Sequence, residues 1–247
     1  MALVPTNPKL LTTIQRWWKL HSKQHGPLST LLSLLAILGA FLRDSTPARR
    51  KHRYGDVDYD WDHRVDTTGA TISWQGRLLG LFHSPYQPTE PSLFREMLGN
   101  LDLNFREFTF IDIGSGKGRA LLMAADFPFR RILGIELLPE LHRIAQENIN
   151  HYRSDSQQCF ALESACGDAG EFVFPSEPMV LYLFNPLPEP GLHEFIVHLE
   201  KSLRENPRAM YLLYHNPLLE HVLTQSSALQ KIHGTPQFSI YRASPSE

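Results

Sequence analysis

From residue 109 onward, short apolar runs alternate with stretches of helical periodicity. Thr109-Phe110-Ile111-Asp112-Ile113 is closed by Gly114, and Arg131 to Glu136 repeats the form, so both read as buried strands. Between them Arg119 to Asp126 is a small-residue helix stopped by Phe127-Pro128. Pro139 opens a helix in which Leu138, Leu141, Ala145 and Ile149 share one face. Phe160 to Ser164 gives a third strand, Met179 to Phe184 the most apolar one, and Ala209 to Tyr214 a fifth. Helices are expected over 192–204 and 217–229, and two closing strands around Gly234-Thr235-Pro236. The spacing predicts an α/β chain: a Rossmann-like, mostly parallel sheet with helices on both faces, ending in an antiparallel strand. Ligands of such sheets lie beyond the carboxyl ends of the strands.

Ahead of the sheet the pattern changes. Lys9 to Lys23 reads as a helix with Trp17 and Trp18 among its apolar positions, ended by His25-Gly26-Pro27. Leu28 to Leu42 follows without a charge; at ~1.5 Å per residue it spans about 22 Å, short of the ~30 Å hydrocarbon core. Residues 1–53 therefore form a helical extension, 54–107 a cap or lid region, and 108–247 the sheet domain. The turn-rich Asp66-Thr67-Thr68-Gly69 and the stretch around Tyr86 lie in the lid, and residues 91–101 lead as a helix into the first strand.

Net charge sharpens this division. The 247 residues carry −2 overall, but residues 1–53 hold nine Lys/Arg against Asp44 alone, or +8. The remainder holds 15 bases against 25 acids, or −10. The basic head reads as a helical hairpin packed on the body or a second subunit, as an interfacial anchor on an anionic membrane surface through residues 9–53, or as a nucleic-acid arm. Nucleic acid is the less favoured partner. A signal peptide fits no better than a transmembrane span, because the preceding region is long and no A-x-A site follows. Two cysteines, Cys159 and Cys166, make no disulfide scaffold, and the expected location is cytoplasmic, at most peripheral to the inner face of a membrane. There is no H-E-x-x-H, and His193 and His198 stand five apart, so no metal is expected.

The densest chemical signal is Asp112-Ile113-Gly114-Ser115-Gly116-Lys117-Gly118-Arg119, glycines between a strand and a helix. A phosphate-binding loop needs G-x-x-x-x-G-K-[ST], which is absent; a dinucleotide loop needs a third glycine where Arg119 stands. Lys117 and Arg119 either face an anionic substrate or solvate the helix start. His215 reads as a base or as a structural histidine.

The loop resembles motif I of the class I S-adenosylmethionine-dependent methyltransferases, and the resemblance runs over about residues 108–215. It implies S-adenosylmethionine as the methyl donor, held by Asp112, Gly114, Ser115, Gly116 and Gly118. It also implies Glu136 on the ribose hydroxyls and Asp168 on the adenine amine, with Asp112 bonded to the loop backbone beside the cationic methionine moiety. Asn185, in Asn185-Pro186-Leu187-Pro188, partly resembles the N-P-P-aromatic motif of amino-group methyltransferases and is the candidate catalytic residue. It departs from that motif at Leu187 and Pro188, so the acceptor is unknown, with a lean towards an amine nitrogen on a protein or small molecule. The competing readings are an NAD-dependent oxidoreductase and a donor-binding module without turnover.

Overall fold

The computed structural model describes residues 26–44, 57–68 and 88–243, with five single positions ahead of residue 26. Most of the 9–23 helix, the 69–87 half of the lid and Tyr86 lie outside the described residues. The elements are α1 (Pro27–Asp44), α2 (Val57–His63), α3 (Pro91–Gly99), β1 (Thr109–Ile113), α4 (Arg119–Ala124), β2 (Arg131–Glu136) and α5 (Pro139–His151). They continue with β3 (Leu162–Cys166), β4 (Met179–Leu183), α6 (Glu189–Glu205), β5 (Met210–His215), α7 (Glu220–Thr224), β6 (Leu229–Gly234) and β7 (Phe238–Ala243).

Seven strands form one sheet in the order β3-β2-β1-β4-β5-β7-β6. The first five are parallel, and β7 is inserted antiparallel to both β5 and β6. The Rossmann-like reading holds, with the antiparallel strand one place in from the edge. After β3 the chain crosses to the other side of β1, so the strand order reverses between β1 and β4. A crevice at the carboxyl ends of those strands is where such sheets take ligands.

Alternate residues of each strand point to opposite faces. One face carries Phe110, Ile132, Val180, Tyr182, Leu213 and Ile240 into a core with α3 and α4. The other carries Ile111, Ile135, Leu181, Leu212 and Tyr241 against α6 and α7. Helix α3 starts on Glu90, whose carboxylate accepts from Ser92 N (3.1 Å) and Leu93 N (2.9 Å), with Pro91 in the first turn.

Several elements differ from the sequence reading, and α6 starts at Glu189 rather than at residue 192. The third strand starts at Leu162 and not at Phe160, which is 78% exposed. β3 is an edge strand, and Cys159, whose N–H bonds Ala125 O at 2.9 Å, takes the buried place that Phe160 was expected to fill. The helix expected over 217–229 is the short α7 with β6 already beginning at Leu229, and α4 stops at Ala124 rather than Asp126. In the head, Gly26 adopts φ +79 and bonds back to Ser22 O at 3.1 Å, the left-handed helix ending that His25-Gly26-Pro27 foreshadows. Among the described residues no helix is long and apolar enough to cross a membrane.

The segment after α2 is fastened to the sheet domain by polar contacts. Asp60 accepts from Thr67 N (2.8 Å), Thr68 N (2.7 Å) and both threonine hydroxyls, which folds residues 60–68 into a closed turn. Asn148 of α5 then grips it: Oδ1 accepts from Asp66 N (2.7 Å), and Nδ2 donates to Asp66 O (2.8 Å) and Lys117 O (2.9 Å). Asn148 is buried in line with the apolar positions of α5, so its amide cannot exchange these partners for water. Asn148→Ala is expected to lose about 2–4 kcal/mol in urea unfolding with an unchanged m-value, from three lost bonds and stranded backbone groups. A loss of under about 0.5 kcal/mol, the range of an ordinary surface change, would show that the clamp carries no stability.

Candidate donor site

β1, β2 and β4 bring two carboxylates to one face of the sheet. The register pairs Asp112 with Gly134 and with Tyr182, and Glu136 stands two residues beyond Gly134, so all four share a face. Asp112 is 3% and Glu136 6% exposed. Burial, reinforced by the Glu136 charge, holds the Asp112 carboxyl well above the usual carboxylate range. Glu136 is also raised by burial, against the pull of its backbone hydrogen bonds. Neither carboxylate makes an ion pair among the described residues.

The glycine loop closes over this pair. Gly114, Gly116 and Gly118 have φ of +78, +55 and +86, values that side-chain-bearing residues rarely adopt. At Gly114 a Cβ would also lie 2.5 Å from Pro186 Cβ, so the turn after β4 packs directly on the loop. Gly134 does the same for Ser115, whose Oγ lies against it and has no hydrogen-bond partner among the described residues. Four of the five N–H groups from Gly114 to Gly118 are spent internally. Gly114 N and Ser115 N both bond Ile135 O (2.8 and 3.0 Å), Gly118 N bonds Ser115 O (2.8 Å), and Gly116 N bonds Glu136 Oε2 (2.7 Å). Glu136 Oε1 accepts from Leu138 N at 2.8 Å.

These contacts revise several sequence-based roles. The carboxylate bonded to the loop backbone is Glu136; Asp112 accepts no hydrogen bond among the described residues. Lys117 and Arg119 neither solvate the helix start nor face a ligand. Lys117 is 3% exposed and donates to Asp66 Oδ1 (2.6 Å) and Thr68 O (3.0 Å). Arg119 lies 4.2 Å over the Tyr59 ring and donates to Thr67 Oγ1 at 3.3 Å. Asp168 caps the short 3₁₀ turn Ala169–Glu171, with Oδ1 accepting from Gly170 N at 2.8 Å. Asn185 has φ +47, and its side chain is engaged at both ends: Oδ1 accepts from Tyr214 Oη (2.8 Å) and Nδ2 donates to Asn216 O (2.6 Å). Tyr214 belongs to the opposite core, so the Asn185 amide is anchored away from the face of Asp112.

A group that sequence reasoning left undecided does lie on the Asp112 face. Tyr182 Oη is 2.8 Å from both Thr89 Oγ1 and His215 Nδ1, and Phe184 stacks on the imidazole at 3.8 Å. Burial pushes the His215 pKa down to about 4 and raises Tyr182 well above its ordinary value, so both are neutral near pH 7. The sequence signal for this cluster was the pairing of a polar residue at the ends of β4 and β5 with an otherwise apolar strand.

No protein-family model matches the chain, and no curated protein does. Solved structures do resemble it. An RNA methyltransferase from Salinibacter ruber in complex with S-adenosyl-L-homocysteine is 21% identical, with TM-score 0.41, over 63% of this chain and 92% of its own. A ribosomal protein L11 methylase from Lactobacillus delbrueckii subsp. bulgaricus is 16% identical, with TM-score 0.43, over 63% and 77%. A dimethyladenosine transferase from Plasmodium falciparum is 12% identical, with TM-score 0.45, over 64% and 63%. At these identities and scores the likenesses assign no role to this chain.

The raised Asp112 carboxyl fixes a pH dependence. The folded state holds its proton more tightly than the unfolded chain, so stability falls as pH rises from the ordinary Asp value through the folded one. Asp112→Asn removes that loss. The variant is expected to be more stable than the parent at pH 7 and to lose its advantage near pH 4, read from thermal midpoints across that range. An advantage independent of pH would contradict the assignment.

Proposed function

We propose that this chain is a class I S-adenosylmethionine-dependent methyltransferase whose acceptor is an amine nitrogen on a protein or a small molecule. One observation carries the donor assignment: two buried carboxylates without a cationic partner among the described residues, beneath a glycine loop most of whose N–H groups are turned inward. A sulfonium cation suits the first feature, and the ribose diol suits the lone pairs that Glu136 keeps after accepting from Gly116 and Leu138. Asp112, the turn at Gly114–Gly118 and Glu136 would hold the donor, with Asp168 at the end of β3 towards the adenine. A dinucleotide fits less well, since its pyrophosphate would face two carboxylates.

For the acceptor, methyl transfer from a sulfonium is a displacement in which the protein mainly positions the nucleophile. An amine gains positive charge as the bond forms, and an acidic face with neutral His215 and Tyr182 stabilises that charge. The net −10 of residues 54–247 works against a polyanionic acceptor. Asn185 then shapes the turn that carries Pro186 onto the loop rather than presenting its amide. That engagement also favours a second reading, a donor-binding module without turnover.

Calorimetric titration with S-adenosylmethionine and separately with NAD, on the parent and on Glu136→Ala, tests the donor. Micromolar donor binding that weakens at least about tenfold in a variant with unchanged circular dichroism is expected, and no NAD binding. Equal donor binding by the variant, or preference for NAD, would overturn the reading. A labelled-methyl screen of nuclease-treated and untreated extracts then separates amine acceptors, nucleic acid and the non-catalytic module.

A further inference from the structure

The head offers a surface that the donor site does not use. Leu28, Leu31, Leu32 and Leu35 of α1 are 72%, 43%, 60% and 56% exposed, and their spacing of i, i+3, i+4 and i+7 puts them on one side of the helix. Apolar residues exposed singly need no explanation, but four on one face mark an interaction surface. No charge falls between Pro27 and Leu42, and the polar Thr30 satisfies its hydroxyl on Gly26 O at 2.8 Å, which lowers the cost of moving this stretch out of water. Lys19 and Lys23 are exposed ahead of α1, and Arg43 and the run Arg49-Arg50-Lys51-His52-Arg53 follow in sequence.

We propose that α1 lies along an anionic phospholipid bilayer, its leucines in the headgroup–acyl boundary and the basic residues on either side of it against the lipid phosphates. The arrangement selects this partner over the alternatives. A helix of 18 residues is about 27 Å long, less than a full span even before its charged ends are counted, which suits it to lie in the interface. A second copy docking head to head would bring two regions of +8 together. A second copy docking head to body would show as a dimer, which the test below reads. An anionic bilayer supplies both the apolar layer and the opposite charge. It also repels the −10 body, so that the head alone makes contact.

The test is co-sedimentation of the full chain with vesicles of phosphatidylglycerol mixed with phosphatidylcholine, and with vesicles of phosphatidylcholine alone. Binding to the anionic vesicles at least about tenfold stronger than to the neutral ones is expected, with release as salt is raised. The double variant Leu31→Glu/Leu35→Glu is expected to lose at least about tenfold in binding while keeping the parent's thermal midpoint. Arg49→Ala/Arg50→Ala/Lys51→Ala is expected to bind more weakly and with a shallower salt dependence. Equal binding to both vesicle types, or leucine variants that bind like the parent, would overturn the proposal. So would a concentration-dependent dimer that the leucine variants abolish in the absence of vesicle binding, because the face would then belong to a second copy. None of these outcomes depends on donor binding.

Discussion

The structure is organised around two buried carboxylates that no described residue neutralises. Asp112, next to last in β1, and Glu136, last in β2, lie on one face of adjacent strands. Burying one unpaired carboxylate is costly, and burying two side by side is more so. The chain meets part of that cost with backbone donors: Gly116 and Leu138 each give an N–H to Glu136. Asp112 receives no such help among the described residues, and burial holds its carboxyl well above the usual range.

The same constraint explains where the nearby cations went. Lys117 and Arg119 flank the loop in sequence, and either would neutralise the pair if it turned inward. Both instead point to residues 59–68, where Asp66, Thr67, Thr68 and the Tyr59 ring take them up. The turn built on Asp60 and the Asn148 clamp therefore do more than attach a segment. They hold two positive charges among residues 59–68, turned away from the acids.

Much of the fold was legible because its signal is apolar. β1 and β2 were read with their observed ends, since each is a buried run closed by a glycine or an acid. The edge strand β3 was misplaced by two residues because its burial is weak, and exposed Phe160 imitated a core position. At the site, sequence pattern identified the loop and Glu136, whose spacing carries information. It could not tell which carboxylate would bond the loop, nor that the side chain of Asn185 would be tied to Tyr214 and Asn216. Those outcomes depend on which face a residue meets after a turn of positive φ, and no local periodicity encodes that. Asn148 was hidden for a related reason, as a polar residue occupying an apolar position of its helix.

Net charge ties the two ends of the chain to one argument. A cationic donor drawn to an acidic body is bound most strongly while it remains a cation. On the proposed reading, methyl transfer turns the sulfonium into a neutral thioether and removes the charge that Asp112 and Glu136 were holding. The carboxylates then face an uncharged product, and the interaction that favoured the donor no longer favours what is left. On that reading the protein distinguishes substrate from product by charge. A lysine or arginine from the chain in that place would have relieved the acids permanently and erased the distinction, so the unneutralised pair is the feature that gives the site a direction.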